Sequence, residues 1–339
     1  CVFTTEEEVG LNGAKALDKS VLKARTMINM DSEDEGVATV SCAGGLRVQF
    51  TKEIKRTTVQ GSLLTLKVEG LLGGHSGQDI DKERQNADLL MARMIQRLLK
   101  ETKGQLVSFN GGTKDNAIPR ECEASLIYES DEEAAKAEEL ACELAETYAE
   151  ELTPAEPDFS CEISCETNRT AEAIPQDAAK EFICAMRLAP NGIQKRNIKM
   201  DGFVVVSLNL GVVRTEEDRI VMIFSPRSSV ASLQEDTKER LNTLAETFGF
   251  TVSHSSEYPG WSFKEDSPVR EICKESYKEL FGEDLKIEAI HAGLECGLFS
   301  DAIKGLDAIA IGPTIANCHT PDEYLTLDSF ERFYEFLKD

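Results

Sequence analysis

Apolar residues along this chain follow two patterns, short runs typical of buried strands and repeats at helical spacing. The run at Leu63–Val68 predicts a strand, and the apolar positions from Leu89 to Leu99 predict a helix. Between them lies a glycine-rich loop centred on His75. Glycines at such a corner let the backbone approach another group closely and leave the imidazole exposed. The alternative is a glycine-rich turn whose histidine caps the helix, because such a loop is a weak signal by itself.

The same patterns divide the chain into two domains. Before about residue 46 and after about residue 257, short strands alternate with helices, whereas the stretch between is rich in strands with helices on one face. We therefore predict a domain formed by residues 1–46 and 257–339, with a second domain, residues 47–256, inserted into it. The length of 339 residues fits two domains. Residues Cys1–Thr4 are predicted as a buried strand.

Charge and composition exclude some classes of function. The chain carries 61 acidic and 37 basic residues, a net charge of −24, which would repel the phosphate backbone of a nucleic acid. Part of this charge lies in residues 129–158, where the apolar spacing predicts one amphipathic helix. No apolar run approaches the length of a membrane span. Ten scattered cysteines without a C-x-x-C pair indicate reduced thiols and a cytoplasmic protein.

Carboxylates follow two of the predicted strands. Glu7 and Glu8 come shortly after the first strand, and Asp31 is the first acid after a strand at Thr26–Asn29. Oxygen donors that converge from separate strand ends are what a divalent metal requires. The alternative for the first pair is an acidic first helical turn, which the helix dipole favours.

Three further loops carry candidate chemistry. Arg227 lies between a strand and a helix, where its guanidinium would match a carboxylate in a bidentate way, although a surface arginine is equally compatible with the local sequence. His291 and Glu295 follow a later strand, and His319 lies in a loop before the final helix.

Nine motifs together resemble one family. They are similar in type and order to those of the aminoacyl-histidine dipeptidases (Xaa-His or beta-alanyl-histidine dipeptidases, peptidase D) of the co-catalytic zinc dipeptidase and carboxypeptidase superfamily. The match covers essentially the whole chain. The motifs are TEEEVG, NMDSEDEG, SCAGG, EGLLGGHSGQDIDKERQNA, DNAIPRE, SLNLG, YPGW, HAGLECG and GPTIANCHTPDE.

The resemblance implies an α/β fold, with a three-layer α/β/α catalytic domain and an inserted α+β lid domain that also forms a homodimer. It implies hydrolysis of dipeptides by a site with two zinc ions, or with manganese or cobalt in their place. In that site Glu7 would be the general base, and Glu8, Asp31 and His319 would be metal ligands.

The resemblance also assigns four residues to the substrate. His75 of the lid would polarise the scissile carbonyl as an oxyanion donor, in its own subunit or in the neighbouring one. Asn116 and Arg227 would hold the substrate carboxylate, and Glu295 is a weaker candidate for the amino end.

One departure from the family pattern concerns the metal ligands. The family has a ligand histidine and a bridging aspartate upstream of the Glu-Glu pair, whereas no histidine precedes Glu7 here. We therefore expect a chain truncated at its N-terminus, lacking part of the catalytic domain and inactive as it stands. The alternatives are a tripeptidase, carboxypeptidase or deacylase of the same superfamily, and a non-catalytic dimeric binding protein.

Overall fold

A computed structural model of the protein describes residues 1–7, 10–198, 202–318 and 320–339. In this part of the chain the helices are α1 (Asn12–Ala16), α2 (Ala87–Glu101), α3 (Asp131–Leu152), α4 (Gln176–Leu188), α5 (Ala231–Thr247), α6 (Pro268–Phe281), α7 (Glu295–Ala302) and α8 (Leu327–Lys338). The strands are β1 (Thr26–Asn29), β2 (Val37–Cys42), β3 (Gly44–Glu53), β4 (Thr57–Glu69), β5 (Gly74–His75), β6 (Gln105–Gly111), β7 (Ala117–Ile118), β8 (Cys122–Tyr128), β9 (Ser160–Ala173), β10 (Gly192–Arg196), β11 (Val204–Thr215), β12 (Arg219–Ser228), β13 (Thr251–Tyr258), β14 (Lys286–Ile290), β15 (Asp307–Ala310), β16 (Ile315–Ala316) and β17 (Tyr324–Leu325).

The smaller of the two main sheets has helices on both faces. Its strand order is β1-β15-β2-β14, and β1 pairs with β15, and β14 with β2, in parallel. One face packs on α6 and α8 through a core that includes Val40, Tyr277 and Phe333. The other packs on α1 and α7 around Trp261 and Phe299. This arrangement confirms the α/β class and the three-layer α/β/α architecture expected from the sequence.

The larger sheet contains the strands from the middle of the chain. Its order is β13-β3-β12-β11-β6-β8-β4-β9, with β10 added beside β11. Helices α2 to α5 contribute to one continuous apolar core on this sheet, so they cover the same face. The middle of the chain is therefore an α+β unit with helices on one face, as predicted. A division of the chain at residues 46 and 256 stays a prediction.

Capping residues explain where two helices of this unit, α2 and α3, begin. The Asn86 side chain accepts hydrogen bonds from the backbone N–H groups of Asp88 and Leu89, which starts α2. Ser130 accepts from the N–H of Glu133 and starts α3, whose first turn is acidic. The strongly acidic stretch is thus one amphipathic helix, with alanines and Tyr148 on its buried side.

The N-terminal residues correct one expectation. Cys1–Thr4 do not form a strand, and Phe3 is 88% exposed. Strand propensity over three residues is not sufficient without a neighbouring strand to pair with, and β1 and β14 are the edges of the nearby sheet in the described residues. No helix among the described residues is long and apolar enough to cross a membrane. All ten cysteines are free thiols, as predicted.

Candidate active site

The chain passes between the two sheets twice, and the two connecting segments lie side by side. β2 ends at Cys42 and β3 begins at Gly44, while the returning chain leaves β13 at Tyr258 and pairs at Trp261 with Cys42. The backbone N–H of each residue of this last pair donates to the carbonyl of the other, at 3.0 and 2.9 Å. This double connection holds the end of the large sheet against the small sheet and its loops.

A buried arginine occupies this junction. Arg227 on β12 is only 7% exposed, and its Nη1 donates to the Tyr258 hydroxyl at 2.9 Å. Among the described residues, Nε of Arg227 has no hydrogen-bond partner and no carboxylate forms an ion pair with the guanidinium. A buried guanidinium without a counter-ion is costly unless a ligand supplies the negative charge. Arg227 therefore has the properties of an anion-binding group.

His75 lies next to this arginine and is held as a neutral imidazole. It pairs with Ala117 through β5 and β7, and its Nδ1 accepts hydrogen bonds from the N–H groups of Gly77 (3.3 Å) and Gln78 (3.0 Å). In the neutral ring the proton then resides on Nε2, which is a donor. Burial, followed by the nearby charge of Arg227, lowers the pKa of His75. The neutral ring can therefore donate a hydrogen bond from Nε2 without first taking up a second proton.

Gly77 allows the groups of this junction to approach each other. A Cβ atom at this position would lie 3.1 Å from Cε1 of His75 and 3.2 Å from Nε of Arg227, and would overlap the carbonyl oxygen of His291. Any side chain here would push these groups apart. The glycine-rich loop thus serves the close approach that the sequence indicated.

His291 completes the cluster from the small sheet. It follows β14, is 7% exposed, and its Nε2 lies 2.7 Å from the Ser207 hydroxyl. Ser207 on β11 is the cross-strand partner of Arg227 on β12. Burial, and then the charge of Arg227, lowers the pKa of His291 to about 3, so this imidazole is also neutral. The contact between Ser207 and His291 joins the two sheets beside the arginine.

A second group of side chains is acidic and lies at the small sheet. The Thr4 hydroxyl donates to Oε1 of Glu295 at 2.5 Å, which brings the segment before Glu7 to the start of α7. Burial raises the pKa of the Cys296 thiol, and the negative charges of Glu295 and Asp31 raise it further. Both carboxylates therefore lie near the same thiol, and the HAGLE segment runs from this acidic group to the cluster around Arg227.

The loop that contains Asp31 contacts the loop that contains the predicted ligand His319. The N–H of Ile315 donates to the carbonyl of Glu33 at 2.9 Å. Burial and a hydrogen bond to Glu33 raise the pKa of Cys318 to about 11. The loop after β1, which contains Asp31, thus packs against the loop before α8.

Two of the predicted ligands, Glu8 and His319, lie outside the described residues. Within the described ranges, no three His, Cys, Asp or Glu side chains form a cluster that would hold a metal ion. The structure therefore places the loops that carry the predicted ligands but describes only Asp31 among the three.

The remaining predicted residues occupy different positions. Asn116 lies beside His75 through its backbone, whose carbonyl accepts from the N–H of Ser76 at 2.9 Å. Its side chain is exposed, and in the described part of the chain no hydrogen bond joins it to Arg227. Glu7 is half-exposed just before α1, where its carbonyl accepts from the N–H groups of Gly10 and Leu11.

Three residues of the cluster were not among the predicted site residues, namely Ser207, Tyr258 and His291. Ser207 had a signal in the sequence, because a hydroxyl interrupts the apolar run FVVVSLNLGVV of a buried strand. Tyr258 belongs to the YPGW motif at the change of composition. A cavity of about 670 Å³ adjoins the cluster and is lined by Gly77, Phe203, Phe263 and His291 among others. Its volume lies in the range of small-molecule sites.

Comparison with known proteins identifies the family. The profile of peptidase family M20/M25/M40 matches residues 1–339, the whole chain. The chain belongs to this family. The matching family is a peptidase family, so the protein is a hydrolase that acts on peptide bonds, which confirms the enzyme class and the superfamily expected from the motifs.

Two relatives resemble this family member over nearly all of its length. The cytosol non-specific dipeptidase of Escherichia coli (strain K12) is 33% identical over 344 aligned residues, which cover 100% of this chain and 70% of the relative. The crystal structure of the aminoacylhistidine dipeptidase from Vibrio alginolyticus superimposes with a TM-score of 0.93 at 34% identity, and the match covers 98% of this chain and 68% of that one. The second comparison confirms the fold.

Proposed function

We propose that this peptidase is a metal-dependent dipeptidase that recognises the free C-terminal carboxylate of its substrate. The observation that carries the proposal is Arg227, a buried cation without an anionic partner among the described residues, next to the neutral imidazole of His75. A carboxylate supplied by the substrate would provide the missing charge. The two relatives support the proposal, since both are named as dipeptidases.

The proposed metal site lies at the small sheet. Its residues would be Glu8, Asp31 and His319, whose carboxylate and imidazole groups are ligands that zinc, manganese or cobalt accepts. The packing of the loop after β1 on the loop before α8 supports a shared site, because it brings the segment of Asp31 to Cys318. Two such metal ions, when bound, would polarise the scissile carbonyl and lower the pKa of a water molecule.

The residues of the chain would divide the rest of the reaction. Arg227, with Asn116, would bind the substrate carboxylate, and Glu295 would bind the amino end. Glu7 would accept a proton from the attacking water and deliver it to the leaving amine as the peptide bond breaks. His75 would donate its Nε2 hydrogen to the oxygen that becomes negative after the attack, and its lowered pKa keeps this donor neutral.

Three further expectations belong to the proposal. The substrates would be dipeptides, either of the Xaa-His type or of a broader range, since the two relatives are named for different preferences. The unit of residues 47–256 would act as a lid and form a homodimer. The protein would act in the cytoplasm, as the name of the Escherichia coli relative states for that protein.

Replacing Arg227 tests the carboxylate site. In the metal-loaded protein we expect Arg227→Met to raise KM for a dipeptide by about 100-fold, because a charge-assisted contact worth about 2–3 kcal/mol is lost. The KM for the same dipeptide with an amidated C-terminus should change by less than about threefold, since the amide carries no charge.

The matched control is Arg219→Met, which removes an exposed arginine from the same strand. It should leave both KM values near those of the unchanged protein. If Arg227→Met raised KM equally for the dipeptide and for its C-terminal amide, a carboxylate-binding role would be contradicted.

A further inference from the structure

Tyr258 makes the one side-chain hydrogen bond to Arg227 in the described part of the chain. Its hydroxyl accepts from Nη1 at 2.9 Å. With Nη1 engaged, the Nε–Nη2 edge of the guanidinium is the edge that a carboxylate would bind in the bidentate mode. Nε, which belongs to that edge, is buried and has no partner among the described residues. The hydroxyl therefore determines which edge of Arg227 is available.

The ring of Tyr258 is held between two glycines from different parts of the fold. A Cβ atom at Gly45 of β3 would lie 2.7 Å from the Tyr258 hydroxyl oxygen, and one at Gly293 would lie 2.9 Å from Cε2 of the ring. Gly45 is also the strand partner of Tyr258. Larger residues at either position would displace the ring. The packing thus fixes the hydroxyl from both sides, without using a flexible side chain.

The position of Tyr258 along the chain links this contact to the junction of the two sheets. It is the last residue of β13, and three residues later Trp261 pairs with Cys42 of the small sheet. Gly293 lies in the segment between His291 and Glu295. The ring therefore contacts the large sheet through Gly45 and the small-sheet side through Gly293. Because the ring is fixed in this way, its hydrogen bond to Arg227 also fixes the guanidinium.

We propose that Tyr258 is a positioning residue, which orients Arg227 so that its Nε–Nη2 edge receives the substrate carboxylate. This inference rests on the proposed function, in which Arg227 binds that carboxylate. Tyr258 itself does not contact the substrate in this proposal. Its effect should therefore appear in substrate binding and should depend on the carboxylate.

The test is Tyr258→Phe, which keeps the ring between the two glycines and removes only the hydroxyl. In the metal-loaded protein we expect KM for a dipeptide to rise about tenfold, with kcat within about twofold and KM for the dipeptide amide unchanged. A second readout is calorimetric binding of a dipeptide analogue whose peptide bond is reduced to CH₂–NH, which the enzyme cannot hydrolyse. Its Kd should rise about tenfold, and that of the amidated analogue should stay constant.

Tyr128→Phe is the matched control, because it removes a hydroxyl that contacts Thr102 in the core of the large sheet, away from Arg227. It should leave KM and Kd unchanged. If Arg227→Met abolishes the preference for the carboxylate and Tyr258→Phe does not reduce it, the positioning role is wrong and the proposed function stands. If Arg227→Met leaves the preference intact, both proposals are wrong.

Discussion

The His75→Leu variant of the metal-loaded protein should lose about 100- to 1,000-fold in kcat, with KM changed by less than about threefold. Leucine fills a similar volume but has no N–H group to donate. Loss of a single donor to a developing oxyanion typically costs this much. The effect should fall on kcat because the donor is needed when the carbonyl oxygen becomes negative, and much less when the substrate binds.

The electronic state of His75 makes this prediction specific. Its Nδ1 is occupied as an acceptor by the N–H groups of Gly77 and Gln78, so the ring presents Nε2–H without needing a second proton. Because burial and Arg227 lower the pKa of His75, the neutral donor persists to a lower pH than for a free imidazole. We expect no decline in kcat attributable to His75 between pH 8 and pH 6.5, the ordinary pKa of a histidine.

A conservative variant and a control separate catalysis from folding. His75→Gln retains an N–H donor and should recover part of the activity that His75→Leu loses. His254→Leu removes an exposed histidine whose Nε2 lies 3.0 Å from Asn242, and it should leave kcat near that of the unchanged protein. Equal activity of His75→Leu and His254→Leu would mean that the imidazole does not stabilise the transition state.

Most of the fold could be predicted from the sequence because its signals are local. The apolar repeat of α2 and the acidic, alanine-rich repeat of α3 are visible in single segments, and each helix starts at a side-chain cap. The strand-rich middle of the chain likewise indicated one large sheet. Cys1–Thr4 show the limit of this approach, since three apolar residues become a strand only beside another strand.

The site was harder to predict from the sequence, because its contacts are not local. Arg227 and His75 could be identified as candidates from their chemistry and from the family resemblance, but their proximity depends on the pairing of distant strands. Tyr258 reaches Arg227 across 31 residues of chain, and His291 reaches Ser207 across 84. No periodicity in the sequence records such contacts. Only the polar residue within a buried strand, Ser207, leaves a trace that sequence reasoning can use.

The largest expected effect on stability concerns Asp88. This residue is fully buried in the first turn of α2, and among the described residues no N–H or O–H group donates to either carboxylate oxygen, so the Cys122 thiol beside it is a weak donor only. Burial raises the pKa of Asp88 to about 8, and the weaker effects of Cys122 and Arg214 oppose the rise. The folded protein therefore holds this proton up to a higher pH than the unfolded chain, where an aspartate loses it near pH 4.

The sign of the pH dependence follows from this difference. Between about pH 4 and pH 8 the folded state binds more protons than the unfolded state, so the free energy of unfolding falls as the pH rises. The stabilisation is complete below pH 4 and lost once the pH reaches the folded pKa of about 8. A shift of about four units corresponds to an upper limit of about 6 kcal/mol. Asparagine has nearly the same shape and does not titrate.

Asp88→Asn should therefore abolish the fall in the free energy of unfolding with rising pH, and should not simply shift this free energy by the same amount at every pH. Urea unfolding followed by circular dichroism at pH 5, 6, 7 and 8 should show the unchanged protein losing several kcal/mol relative to the variant across this range. Asp177→Asn, an exposed aspartate in the first turn of α4, serves as the matched control and should follow the unchanged protein. Parallel pH profiles for the unchanged protein and Asp88→Asn would show that the carboxyl group is already ionised in the folded state. In that case its charge would have to be compensated, and Arg214, the cation that acts on Asp88, would be the first residue to replace.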